Sequence, residues 1–143
     1  MSKLPIGLEK VLKEDIYIRK NKEDVYKALK RLDVNAFETF VEFYCNYSGP
    51  FWVGNIPFEL LDLLDEENRN IEHYTYICRK EHHFPNKFLV LSEMATGTVL
   101  VLDSETDKVY KVNFEGGDEL LLKGELKETW ENFDDFLKVY FNI

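Results

Sequence analysis

Val25, Ala28, Leu29 and Leu32 recur every three or four residues after Asn21, and Phe37, Phe40, Val41 and Tyr44 do the same after Asn35. That spacing predicts two short amphipathic helices. Asn21 and Asn35 stand where N-caps belong, and Glu38 takes the capping-box position of the second helix. The turn-forming run Asn46-Tyr47-Ser48-Gly49-Pro50 predicts that this helix ends near Cys45, because the residue before proline avoids the helical region. Phe51-Trp52-Val53 and residues 58–64 are apolar enough for short strands. Asp65-Glu66-Glu67 resembles an acidic first turn leading to Ile71, Tyr74 and Cys78 on one face, so a helix is expected near 66–80.

Three strand-like runs follow at 88–92, 98–103 and 108–114, rich in Val, Leu, Tyr and Phe. The short polar connections Ala95-Thr96-Gly97 and Ser104-Glu105-Thr106-Asp107 predict antiparallel neighbours. The last run sets Val109 against Tyr110, Val112 and Phe114, a partial alternation expected of a meander strand covered on one face. Trp130, Phe133, Phe136, Leu137 and Tyr140 then mark one face of a final helix, with Glu131, Asp134, Asp135 and Lys138 opposite. The expected fold class is therefore α+β, an antiparallel sheet flanked by helices with an aromatic C-terminal helix packed on it.

At 143 residues the chain has the usual length of one domain able to bury its own core, and the 45% hydrophobic content is far from a disordered composition. The first residues, Met1-Ser2-Lys3-Leu4-Pro5-Ile6-Gly7, lack the apolar stretch of an export signal, and no run of eighteen apolar residues occurs. A cytoplasmic location without a membrane role is expected. Two cysteines, Cys45 and Cys78, then read as reduced, buried small hydrophobes. Charge is unevenly spread: residues 1–35 hold nine Lys/Arg against six Asp/Glu, while the remainder holds nine against twenty-one. A body carrying −12 either repels nucleic acid and anionic lipid and favours encounter with basic partners, or serves solubility alone.

Candidate chemistry is sparse. Ser2, Ser48, Ser92 and Ser104 lie in no nucleophile-elbow pattern, and neither cysteine sits in a nucleophile motif. His82 and His83 follow Glu81, but adjacent residues point apart, so solvated loop histidines are expected rather than a metal site. Asp103, Glu105 and Asp107 alternate as in the opening of a calcium loop, but Lys108 replaces the required glycine and Phe114 the bidentate glutamate. An acidic hairpin turn is the better reading. Gly116-Gly117-Asp118 reads as a tight turn, and the pairs Glu115/Asp118 and Asp134/Asp135 read as solvated acidic faces before catalytic carboxylates. No cofactor is expected.

Residues 40–52, Glu59-Leu60-Leu61-Asp62-Leu63, the 99–103 strand with Thr106 to Tyr110, and the Trp130-to-Phe141 segment with its Phe-x-x-Phe-Leu core together resemble the SUKH superfamily. That superfamily includes yeast Smi/Knr-type cell-wall regulators and many bacterial immunity proteins. The likeness covers about residues 35–141, behind a more basic helical part at 1–34 of a single domain. It implies a protein-binding module that neutralises a cognate bacterial polymorphic toxin, often a basic nuclease. A non-enzymatic regulatory scaffold is the alternative, and an enzyme with a carboxylate site the lesser one. For a basic toxin, Asp103, Glu105, Asp107, Glu115, Asp118 and Glu119 at hairpin ends are expected to steer the encounter, with Tyr47 and Trp52 as aromatic anchors.

Overall fold

Residues 3–51, 54–65 and 67–143 are described by the computed structural model. Their elements in chain order are α1 (Leu8–Val11), a 3-10 turn (Asp15–Tyr17), α2 (Glu23–Leu32), α3 (Glu38–Asn46), α4 (Ile71–His82), β1 (Phe88–Val90), β2 (Thr98–Asp103), β3 (Val109–Asn113), α5 (Gly117–Leu122) and α6 (Phe133–Phe141). The fold is α+β. β1, β2 and β3 form an antiparallel sheet in that order, with Leu89 opposite Leu102 and Val101 opposite Tyr110.

Because strand side chains alternate, the register sorts the apolar residues onto two faces. Leu89, Leu100, Leu102 and Val109 meet α1, α2, α3 and α6 in one cluster, while Val90, Val99, Val101, Tyr110 and Val112 join Cys78 of α4 and Leu121 of α5 in another. The sheet is therefore covered on both faces, not on one as β3's pattern suggested. Only Lys111 and Asn113 of β3 run out into solvent.

Phe133, Phe136 and Leu137 of α6 are fully buried, and Phe133 packs edge-on against Phe40 of α3 at 5.1 Å between ring centroids. Trp130 precedes this helix instead of opening it. It is half-buried and pairs with Val109 through Val109 N–H to Trp130 O and Trp130 N–H to Val109 O, both 3.0 Å. Residues 129–130 thus satisfy the outer edge of β3, which would otherwise offer unpaired backbone groups.

Several caps differ from expectation for local reasons. Asn70 caps α4 by accepting the His73 N–H at 2.7 Å, so the helix begins at Ile71, after the acidic run. Asn132 does the same for α6 through the Asp135 N–H at 2.8 Å. Lys22 and Phe37, not Asn21 and Asn35, occupy the N-cap positions of α2 and α3, without side-chain cap bonds. Among the described residues Phe51 forms an isolated bridge with Leu60, and Trp52 and Val53 lie outside the described residues.

Tyr140 of α6 anchors the 51–60 segment. Its hydroxyl accepts the Leu60 N–H at 2.8 Å and lies 2.8 Å from Phe58 O and 3.2 Å from Phe51 O. A Cβ on Gly54 would lie 2.3 Å from the ring, so glycine permits this close approach. Tyr140→Phe leaves the buried Leu60 N–H unsatisfied and is expected to cost about 1–3 kcal/mol in denaturant unfolding. No helix among the described residues is long and apolar enough to cross a membrane. Both cysteines are free and buried, and burial pushes the Cys78 thiol up to about 11.

Candidate partner-binding surface

The β2–β3 connection turns two of its three acids inward. Asp103 is 4% exposed, and its Oδ1 accepts the backbone N–H of Glu105 at 2.9 Å and of Thr106 at 3.3 Å. That is an Asx turn, in which a short carboxylate substitutes for backbone acceptors. Asp107 is 7% exposed, adopts a left-handed φ of 70° and accepts the Phe133 N–H through Oδ2 at 3.2 Å. It thereby satisfies one of the orphan donors at the start of α6. Burial holds its carboxyl above the ordinary value, with Asp134 adding to the effect. Only Glu105 of this trio faces solvent, so Asp103 and Asp107 are structural carboxylates and not the exposed turn charges that were expected.

Tyr47 is likewise not a surface anchor. It is 9% exposed, pairs with Ile18 in an isolated bridge and lies against Phe43 at 5.7 Å. Trp52 lies outside the described residues. Gly116 is the residue before α5, and Gly117 and Asp118 open that helix where a tight turn was expected; a six-residue helix that starts on glycine is not announced by periodicity. Asn113 holds the approach by accepting the N–H groups of Glu115 and Gly117 at 3.1 and 3.0 Å. Glu115 and Glu119 are exposed and Asp118 is half-buried.

These three acids belong to a longer run. Residues 115–135 carry eight Asp/Glu and two Lys, from the entry of α5 through the loop beside β3 to the first turn of α6. Glu125 and Glu131 are exposed, and Glu128 is half-buried. The backbone is held in place by the Val109–Trp130 pair and by the Lys111 N–H donated to Thr129 Oγ1 at 3.0 Å. Lys111 Nζ lies 5.6 Å from the centre of the Trp130 ring, which packs on Phe136 at 5.0 Å. Asp134 is engaged by Lys138 at 2.9 Å, one turn on. The 115–119 end was legible in the sequence, whereas its continuation past Glu125 needed the pairing that lays the loop along the sheet.

Other charged groups are committed internally. Arg69 lies between Glu59 and Glu93, donating to Glu93 Oε1 at 2.7 Å, while the Tyr74 hydroxyl donates to the same oxygen at 2.9 Å. Hydrogen bonding to Arg69 holds the Glu93 carboxyl below its ordinary range. Arg19 pairs with Asp62 in the interior and also donates to Tyr44 O, and the Tyr44 hydroxyl donates to Leu61 O at 2.8 Å. Burial pushes the Asp62 carboxyl up to about 6 against the opposing pull of Arg19 and the Leu63 N–H. Neither network was visible in the sequence, since Arg19 and Asp62 are 43 positions apart and follow no pattern.

His82 ends α4 with its ring 4.4 Å from that of Phe114, and His83 is an exposed left-handed C-cap. Among the described residues no three His, Cys, Asp or Glu side chains are grouped to hold a metal ion.

None of the curated proteins compared with the chain matches it. Residues 21–139 match the model of the SMI1 / KNR4 family (SUKH-1), a span that takes in α2 through most of α6 and starts ahead of the 35–141 region that resembles the SUKH superfamily. The chain belongs to the SMI1 / KNR4 family (SUKH-1).

Proposed function

We propose that this protein is an immunity protein that acts by binding, not by catalysis, and neutralises a cognate bacterial polymorphic toxin in the cytoplasm. SUKH-1 membership is consistent with an immunity role and with a Smi1/Knr4-type role. The observation that favours immunity is the acidic run at 115–135, which carries −6 along one edge of the sheet on a backbone pinned to β3. Such a surface suits a basic protein, and toxins that cleave nucleic acid carry basic surfaces to engage phosphates. Exposed Glu105 adds to the same sign of field, and opposite potentials raise encounter rates above those of neutral surfaces.

Inhibition assays test this reading. The cognate toxin domain, mixed with the purified chain, is expected to form a 1:1 complex and lose its activity in proportion to occupancy. Full toxin activity in the presence of excess chain would contradict the proposal.

A further inference from the structure

Helices α2 and α3 leave a groove between them whose two hollows, about 380 and 500 Å³, share Tyr26, Ala36 and Val41. Val34, Val41 and Cys45 give it an apolar floor. Tyr26 is 59% exposed at the junction of the hollows, and hydrogen bonding with the Cys45 side chain across the groove raises its phenol above the ordinary value. An aromatic this exposed beside an apolar floor is the composition of an interface core.

The charges around the groove are balanced and sorted. Lys22, Tyr26 and Lys30 follow one another at four-residue spacing along α2, and Glu38 and Glu42 do so along α3, so each set lies on one helix face. One wall is basic and the other acidic. Lys3 and Asp33 complete the lining with one charge of each sign, giving three positive and three negative groups. Asp33 is already approached by Asn86 Nδ2 at 3.3 Å, and Glu42 accepts the Lys3 backbone N–H at 2.7 Å. A balanced groove gains nothing from the acidic field that suits a basic toxin. It is instead complementary to itself, because a two-fold axis sets each residue of one copy against its counterpart's partner on the other.

We infer that this groove is a two-fold interface with a second copy of the chain, α2 of each copy lying along α3 of the other so that Lys22 and Lys30 meet Glu38 and Glu42. Two helical pairs facing each other in this way form a four-helix arrangement, with the exposed part of each Tyr26 ring covered by the opposite copy. Self-association of the full chain through this groove does not require the acidic run at 115–135 or a toxin.

Sedimentation equilibrium of the full chain from ~1 μM to ~1 mM is expected to show mass rising from 17.0 kDa to twice that value. Lys22→Glu with Lys30→Glu makes both walls acidic, and Glu38→Lys with Glu42→Lys makes both basic. Each variant alone is expected to dimerise at least about tenfold more weakly than the parent, because like charges then face each other. An equimolar mixture of the two variants restores opposite walls and is expected to give a dimer with one copy of each. A parent chain that stays monomeric throughout would overturn the inference, as would variants that self-associate like the parent or a mixture that fails to pair.

Discussion

Replacing Phe133 with alanine is expected to cost about 3–5 kcal/mol, the range for deleting a fully buried phenylalanine. The ring lies 5.1 Å from Phe40, 5.8 Å from Phe43 and 5.7 Å from Phe136, so three neighbours lose contacts together. These partners come from α3 and α6, and backbone there is pinned by secondary structure, which leaves the site little freedom to collapse. The backbone N–H of residue 133 also donates to Asp107 Oδ2, a bond that alanine keeps, so the loss reports packing alone. Urea unfolding measures it. A change below about 1 kcal/mol would place α6 outside the core.

Removing the Asp62 side chain is expected to be comparably damaging. Asp62→Ala strands the buried Arg19 guanidinium, which cannot shed its proton, and breaking one half of a buried pair costs about 3–5 kcal/mol. Asp62→Asn separates charge from hydrogen bonding, since it keeps an acceptor for Arg19. Because burial raises the folded carboxyl to about 6 from 3.8, the folded state holds this proton more tightly than the unfolded one. The contribution is complete below about pH 3.8 and is lost as pH rises through about 6. The parent chain is thus expected to lose Asp62's share of stability across that window, and Asp62→Asn to lose less there. An unchanged pH profile in Asp62→Asn would assign the dependence to another group, such as Asp107.

The elements with strong periodicity were legible: α2 begins two residues after Asn21, the three strands fall where Val, Leu and Tyr cluster, and α6 carries its aromatic stripe. What was not legible depends on contacts between distant residues. α1 has four residues, too few for a helical period, yet Leu8 and Leu12 are buried. Asp103 and Asp107 look like surface acids in a turn until the N–H groups of Glu105, Thr106 and Phe133 are seen to converge on them. The two-sided burial of the sheet was masked because Lys111 and Asn113 supply polar positions on the face that Val109 begins. Glu125, Glu128 and Glu131 are brought beside the sheet by the pairing of residues 129–130 with β3, a contact that no local pattern encodes.

The acidic run is the feature on which the proposed function rests most directly, and association kinetics with the cognate toxin domain test it. In stopped-flow mixing at several ionic strengths, Glu115→Lys, Glu119→Lys and Glu131→Lys combined are expected to slow association by about 10- to 100-fold at low salt and flatten its salt dependence. Dissociation is expected to stay nearly constant, since exposed rim charges act mainly on encounter. An association rate that ignores both salt and the triple reversal would contradict the account.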